Sequence, residues 1–244
     1  MCSLLAVPSA VFSLDYAGQE VSVPQPELLA LDLRELRPIR RFAAYQGQKR
    51  NPGLFWSVTK AGFVGYESRL EAQHLLAADF DPGVSWIVEQ PFRVHFGGEG
   101  LPASHVPDFL LLGDGEVPEV LNVATPRRAA MPDIASRLAA MSRVCSELGW
   151  RHRVAIGGLA PARLLNLQFL AAERLEPPMT RELAPSLQAA CVGGVRWDEA
   201  ERRTGEVSAI ARPILAHLIW HRQLVAELDR PISSHTILEA RRGD

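Results

Sequence analysis

The chain has 244 residues, of which 47% are hydrophobic and 22% charged, with a net charge of −2. That balance is one of an ordinary globular protein with room for one large domain or two smaller ones, and it excludes a chain whose overall charge alone drives it onto nucleic acid. Three widely spaced cysteines, Cys2, Cys145 and Cys191, form no CxxC pair and argue against a zinc site.

The N-terminal stretch MCSLLAVPSAVFSLDY has no basic residues ahead of its apolar run, so it does not read as a signal peptide. No apolar run approaches a membrane span, and the expected place is the cytoplasm. Residues 1–45 are rich in proline and short apolar runs and read as an N-terminal arm that wraps the domain after it. Arg34, Arg37, Arg40, Arg41, Lys49 and Arg50 cluster there, opposed nearby only by Glu35. The run is either a solvated face or a basic arm that follows phosphates.

PGLFWSVTK (52–60) reads as a strand, and AGFVG leads into a predicted helix, YESRLEAQHLLAADF, with Leu70, His74, Leu75 and Ala78 at helical spacing. Asp81-Pro82-Gly83 ends it. Two short strands follow, VSWIVEQ and FRVHF, with a turn at Gln90-Pro91 and then a loose loop. Residues 105–124 form a predicted hairpin: VPDFLLL, the tight turn GDGE, and VPEVLNVA. DIASRLAAMSRVCSELGW carries Ile134, Leu138, Met141, Val144, Cys145 and Leu148 on one stripe, with Asp133 as the expected N-cap. RHRVAI (151–156) reads as a further strand. This order predicts a mixed sheet flanked by helices, an α/β domain over 46–160.

Composition then shifts. LLNLQFLAAERL is helical and ends at Glu176-Pro177-Pro178. RELAPSLQAAC, WDEAERR and EVSAIARPILAHLIWHRQL read as helices, and VAELDRPISSHTILEA as a hairpin. Residues 161–244 are therefore a small, mainly helical module with a winged-helix layout. Either one of its helices enters a DNA groove with the hairpin as a wing, or the module is a helical lid.

The candidate chemistry lies in the first domain. Phosphodiester hydrolysis needs a hard divalent cation to polarise the phosphate and activate water, and magnesium takes oxygen ligands. Glu71 on the first helix and Asp108 at the head of the hairpin are placed to reach one metal, and Glu67 lies one turn before Glu71 on the same side. The alternatives are exposed helix charges for the two glutamates, hairpin capping for Asp108 and a plain turn for Gln90.

The ordered set YESRLE, DFDP, EQPF and PDF, within YQGQKRNPGLFWSVTKAGFVGYESRLEAQHLLAADFDPGVSWIVEQPFRVHF and HVPDFLLL, resembles the catalytic domain of TnsA-like heteromeric transposase endonucleases. These belong to the PD-(D/E)XK restriction-endonuclease-like superfamily. CSELGWRHRV and ARPILAHLIWHRQLVAELDRPISSHT extend the resemblance, which covers roughly residues 35–240. It implies a restriction-endonuclease-like α/β fold, double-stranded DNA as substrate, magnesium or manganese as cofactor, and a DDE-type transposase and an ATPase regulator as partners. Carried over by position, Glu71, Asp108 and Asn122 are metal ligands, and Ala124 stands where the family has a lysine. Arg127 is the candidate replacement charge at the phosphate. Arg40, Arg41, Lys49, Arg50, Gln90 and Arg128 are the candidate DNA contacts. With alanine at the lysine position, the expected activity is that of a metal-dependent DNA endonuclease, weakened or lost. The other reading is an inactive nuclease fold that binds DNA or scaffolds a transposition or defence complex.

Overall fold

The computed structural model describes residues 10–39, 51–97 and 102–241. It divides into two compact units, Met1–Gly158 and Leu159–Asp244. No helix among the described residues is long and apolar enough to cross a membrane.

The first unit opens with a hairpin, β1 (Val11–Tyr16) and β2 (Gln19–Pro24), a short helix α1 (Gln25–Leu28), a 3-10 turn at Leu33–Glu35 and β3 (Leu36–Arg37). The next elements are β4 (Gly53–Ser57), β5 (Gly62–Tyr66), α2 (Arg69–Phe80), β6 (Trp86–Glu89), β7 (Phe92–His95) and β8 (Ser104–His105). The unit closes with β9 (Phe109–Leu112), β10 (Glu119–Ala124), α3 (Pro126–Ala129), α4 (Pro132–Leu148) and β11 (Arg151–Ile156).

A four-stranded sheet of order β11-β10-β9-β6 forms the centre. β9 runs antiparallel to both β6 and β10, whereas β10 and β11 are parallel. All four residues of β9 are buried, as expected of a continuous apolar run between two neighbours with both faces covered. On one face Leu121, Val123, Phe109 and Leu111 pack with Leu75 and Ala78 of α2. On the other, Val120, Leu110 and Leu112 pack with Met141, Val144, Cys145 and Leu148 of α4. Gly149 ends α4 in the left-handed region at φ 71, which lets the Trp150 N–H return to the Cys145 carbonyl.

Three expectations for this unit need correction. The N-terminal segment is more than a wrapping arm. Residues 11–24 form two strands that join β7 and β8 in a second sheet of order β2-β1-β7-β8, with β3 also on β1. Phe12 and Leu14 alternate inward and enter the α4-side core. AGFVG does not lead into the helix either. It is β5, paired antiparallel with β4, and helix α2 starts only after Ser68. Last, α4 begins at Pro132 with Met131 as its N-cap, so Asp133 sits in the first turn, where its charge suits the helix dipole.

The second unit contains α5 (Pro161–Ala172), α6 (Thr180–Ala190), β12 (Val195–Arg196), α7 (Trp197–Arg203), α8 (Ser208–Trp220), β13 (Leu224–Ala226) and β14 (Ile237–Ala240). Its three strands form an antiparallel sheet of order β12-β14-β13. The short strand β12 has no counterpart in the sequence pattern, which shows only the hairpin. α8 continues through Pro213, and Ile214 to Trp220 are all buried. It is the central helix, packed by α5 and α6. Asn166 of α5 ties the β13–β14 connection down: its Nδ2 donates to the Leu228 and Arg230 carbonyls at 2.8 and 2.7 Å, and its Oδ1 accepts from the Ile232 N–H at 3.0 Å.

Candidate functional site

The central sheet opens where Asp108 enters it. The β9–β10 register ends at Phe109 opposite Leu121, yet β10 continues to Ala124. The Val123 N–H therefore has no strand partner on that side and donates instead to Asp108 Oδ2 at 2.6 Å. On the other side the Asp108 carbonyl accepts from the Gln90 N–H at 2.8 Å. Proline at position 107 and the diverging strands thus hold the aspartate in a gap of the ladder, bridging the ends of β6 and β10.

Glu71 reaches the same place from the start of α2. Ser68 caps the helix by accepting from the Glu71 N–H at 3.2 Å, and the Glu71 carboxylate closes the reciprocal cap. Its Oε1 accepts from the Ser68 hydroxyl at 2.8 Å and its Oε2 from the Glu67 N–H at 2.7 Å. Glu71 is thus a half-buried helix cap rather than an exposed helix charge, and its charge is felt at Asp108. Burial first, and then the Glu71 charge, push the Asp108 pKa up to about 7, with Glu67 adding a smaller push. The hydrogen bonds from Val123 and Asn122 work the other way.

Gln90 joins the glutamates to the sheet. It is 6% exposed, and its backbone lies in the left-handed region at φ 41, uncommon for a side chain of this size. Its Nε2 donates to Glu67 Oε1 at 2.8 Å, and its carbonyl accepts from the Ile39 N–H at 3.1 Å. Its Oε1 is buried without a hydrogen-bond partner.

Asn122 is also here, but not as a ready metal ligand. Its Oδ1, the atom a cation would need, accepts from His152 Nε2 at 3.0 Å. Its Nδ2 lies 3.0 Å from His105 Nε2 and also donates to Asp108. Asn122 therefore links two histidines to the aspartate. With the amide donating, His105 is an acceptor at Nε2 and keeps its proton on Nδ1. Burial lowers its pKa to about 4, and the charges of His152 and Arg137 act in the same direction.

Arg127 and Arg128 are exposed on α3, and Ala124 is buried. Lys60 pairs with Glu89 at 3.4 Å and lies over the Trp86 ring at 5.9 Å. Among the described residues no cation acts on Asp108 to offset its charge. Arg40, Arg41, Lys49 and Arg50 lie outside the described residues.

The structure therefore gathers Glu71, Asp108, Gln90 and Asn122, and leaves Arg127 and Arg128 on the surface. To this set it adds His105, His152 and the Glu67 contact to Gln90. His105 stands three residues before Asp108 on the same segment, a signal the sequence carries. His152 enters only through the parallel register of β10 with β11, where it pairs with Val120 on the face that also carries Asn122. No group of three or more His, Cys, Asp or Glu side chains among the described residues is arranged to hold a metal ion. Any cation here needs an amide oxygen and waters beside the carboxylates. No protein-family model and no curated protein matches the chain.

Proposed function

We propose that the first unit is a divalent-cation-dependent DNA endonuclease of the TnsA-like kind, the cutting subunit of a heteromeric transposase working in the cytoplasm with a DDE-type transposase and an ATPase regulator. The observation that carries the reading is the convergence of Glu71 and Asp108. They lie on separate elements, yet the charge of one lifts the pKa of the other. Like charges held together in a half-buried place are costly, and a bound cation lowers the cost. Magnesium or manganese there supplies Lewis-acid stabilisation of the phosphate and a more acidic water.

The arrangement of elements supports the same reading. The order α2, β6, β9, β10, α4, β11 on a mixed sheet is compatible with the restriction-endonuclease resemblance. In the second unit the order α6, β12, α7, α8, β13, β14 with sheet order β12-β14-β13 supports a winged-helix reading.

A second reading, a nuclease fold that binds DNA or scaffolds a complex without cutting, is favoured by one observation. Ala124 offers no charge, and Lys60 is engaged by Glu89. The test is nicking of supercoiled plasmid across a magnesium titration, with the transposase partner present. The endonuclease reading expects cutting by the wild type that Asp108→Ala abolishes. It expects Ala124→Lys to raise the rate by on the order of a hundred- to thousandfold, the usual worth of one preorganised donor. Cutting by the lysine variant alone supports the second reading, and no cutting by any variant defeats the first.

A further inference from the structure

We infer that the second unit holds a binding site for a small organic anion, a carboxylate carried on an aromatic body, in the cavity between α5 and the β13–β14 connection. The site is independent of the endonuclease reading of the first unit.

Helix α5 is apolar on two sides. Leu167 and Leu170 are fully buried, as a core stripe requires. Leu165 and Phe169, one turn apart on another side, are 62% and 38% exposed. They line a cavity of about 370 Å³, together with Trp197 at the start of α7, Arg212 of α8 and residues 231–234 of the connection. Small-molecule sites span about 300–1,000 Å³ and are mainly apolar with a few polar groups, and this cavity matches on both counts. It is bounded by three helices and a connection, which suits a compact body better than a docked helix or strand, since those need an extended groove.

The walls are held in place. Asn166 pins the connection through its three main-chain bonds, and the Asp198 N–H donates to the Ser234 carbonyl at 3.0 Å. A cavity fixed in this way asks for little ordering when a ligand arrives. The Phe169 and Trp197 rings lie 6.0 Å apart and tilted at 55°, giving an aromatic body two surfaces to pack on. Trp197 Nε1 donates to Glu201 at 2.6 Å, so the one polar atom of the indole is already satisfied.

Arg212 sets the sign of the ligand. Its Nε donates to the same Glu201 oxygen at 3.1 Å, and its terminal nitrogens have no partner among the described residues. Those nitrogens keep their donors for an acceptor from outside, and the guanidinium fork matches a carboxylate. No acidic side chain among the described residues lines the cavity, and Ser233 and Ser234 add hydroxyls.

The test is titration calorimetry of the full-length chain with indole-propionate, its uncharged amide and propionate, with thermal shift as a second readout. The wild type is expected to bind indole-propionate saturably, tighter than about 1 mM. The amide and propionate are expected to bind about tenfold or more weakly, because each lacks one half of the recognition. Arg212→Gln keeps a donor for Glu201 and removes the charge, and is expected to bring the acid and the amide to nearly equal affinity. If Arg212 only braces α7 against α8, both probes weaken alike in this variant and their ratio is unchanged, which overturns the assignment. Leu165→Asp, at an exposed position, sets a like charge on the wall and is expected to abolish binding of the acid. Wild-type affinity in that variant means that the probe binds elsewhere, and the inference falls. It falls as well if the wild type does not bind indole-propionate or binds acid and amide equally. Should Arg212→Gln fail to fold, the wild-type ratio and Leu165→Asp decide.

Discussion

Asp108 and His105 lie three residues apart, and burial drives their protonation in opposite directions. Asp108 in the folded chain has its pKa raised from 3.8 to about 7. Between those values the native state keeps a proton that the unfolded chain releases. Its contribution to stability is therefore present in acid and lost as pH rises through about 7. His105 is lowered from 6.5 to about 4, so the unfolded chain takes up a proton that the native state refuses. Its contribution is present above 6.5 and lost as pH falls through about 4. Over the shared window, about pH 4 to 6.5, the two slopes oppose each other in the cation-free protein. Asp108→Asn is expected to leave the histidine slope uncovered. Relative to wild type, that variant loses stability on acidification, by up to about 1.4 kcal/mol per pH unit, the limit for one proton. His105→Gln shifts the other way. Urea unfolding of the three proteins from pH 4.5 to 7.5 measures this, and parallel curves would mean that the Asp108 carboxyl titrates as in open water. Part of this site is legible in the residues alone, because a glutamate at helical spacing and an aspartate opening an apolar strand are local patterns. The Gln90 amide and the His152–Asn122 bond are not, since each depends on which strand lies beside which, and in what register.

The strands and helices differ in how openly their sequences declare them. β9, β10 and α4 are readable because each has one strong period: a continuous apolar run for a strand covered on both faces, and a 3.6-residue stripe for α4. β5 is misread because GFVGY is short, holds two glycines and abuts a true helix. Its strand character comes from pairing with β4 and from a tertiary tie. Asp79, buried at the end of α2, accepts from the Ser57 hydroxyl and from the Val58 and Thr59 N–H groups of the β4–β5 turn. β12 is two residues long and exists only because β14 lies beside it. The counterpart of the Asp79 tie in the second unit is Asn166, whose three hydrogen bonds all go to main-chain groups of the β13–β14 connection. Asn166→Ala strands two carbonyls and one N–H. It is expected to cost about 2–4 kcal/mol, since each buried group left unpaired costs on the order of 1–3 kcal/mol and some regain water. Chemical denaturation of the full chain reads this out, and a change under 1 kcal/mol would show that the connection is held by its apolar contacts instead.

At the scale of the whole molecule, the chain divides after Gly158 into two compact units. The first unit closes on itself at its last residues: the Gly157 N–H donates to the Ala124 carbonyl, and the Gly157 carbonyl bonds His74 Nε2 at 2.8 Å. The second has its own interior, with Leu167, Leu187, Trp197, Ile214, Leu215, Leu218 and Leu238 all buried. Residues 159–244 expressed alone are therefore expected to fold, with helical circular dichroism and a single cooperative thermal transition. The same interior bears on DNA binding. In the winged-helix reading α8 is the helix that enters a groove, yet Ile214 to Trp220 are buried and α5 packs on it. His217 Nδ1 and His221 Nε2 bond the Glu173 and Arg174 carbonyls just past α5 at 2.8 and 2.9 Å, fastening that cover. While α5 stays in place, α8 exposes only residues near its start, among them Ser208, Ala209 and Arg212. The fragment is expected to bind duplex DNA only in the non-specific range, about 10⁻⁴ to 10⁻⁶ M at physiological salt, without sequence preference. Fluorescence anisotropy with duplexes of different sequence checks this. Tight, sequence-selective binding by the fragment would mean that α5 leaves α8 when DNA arrives, and would move DNA recognition into the second unit.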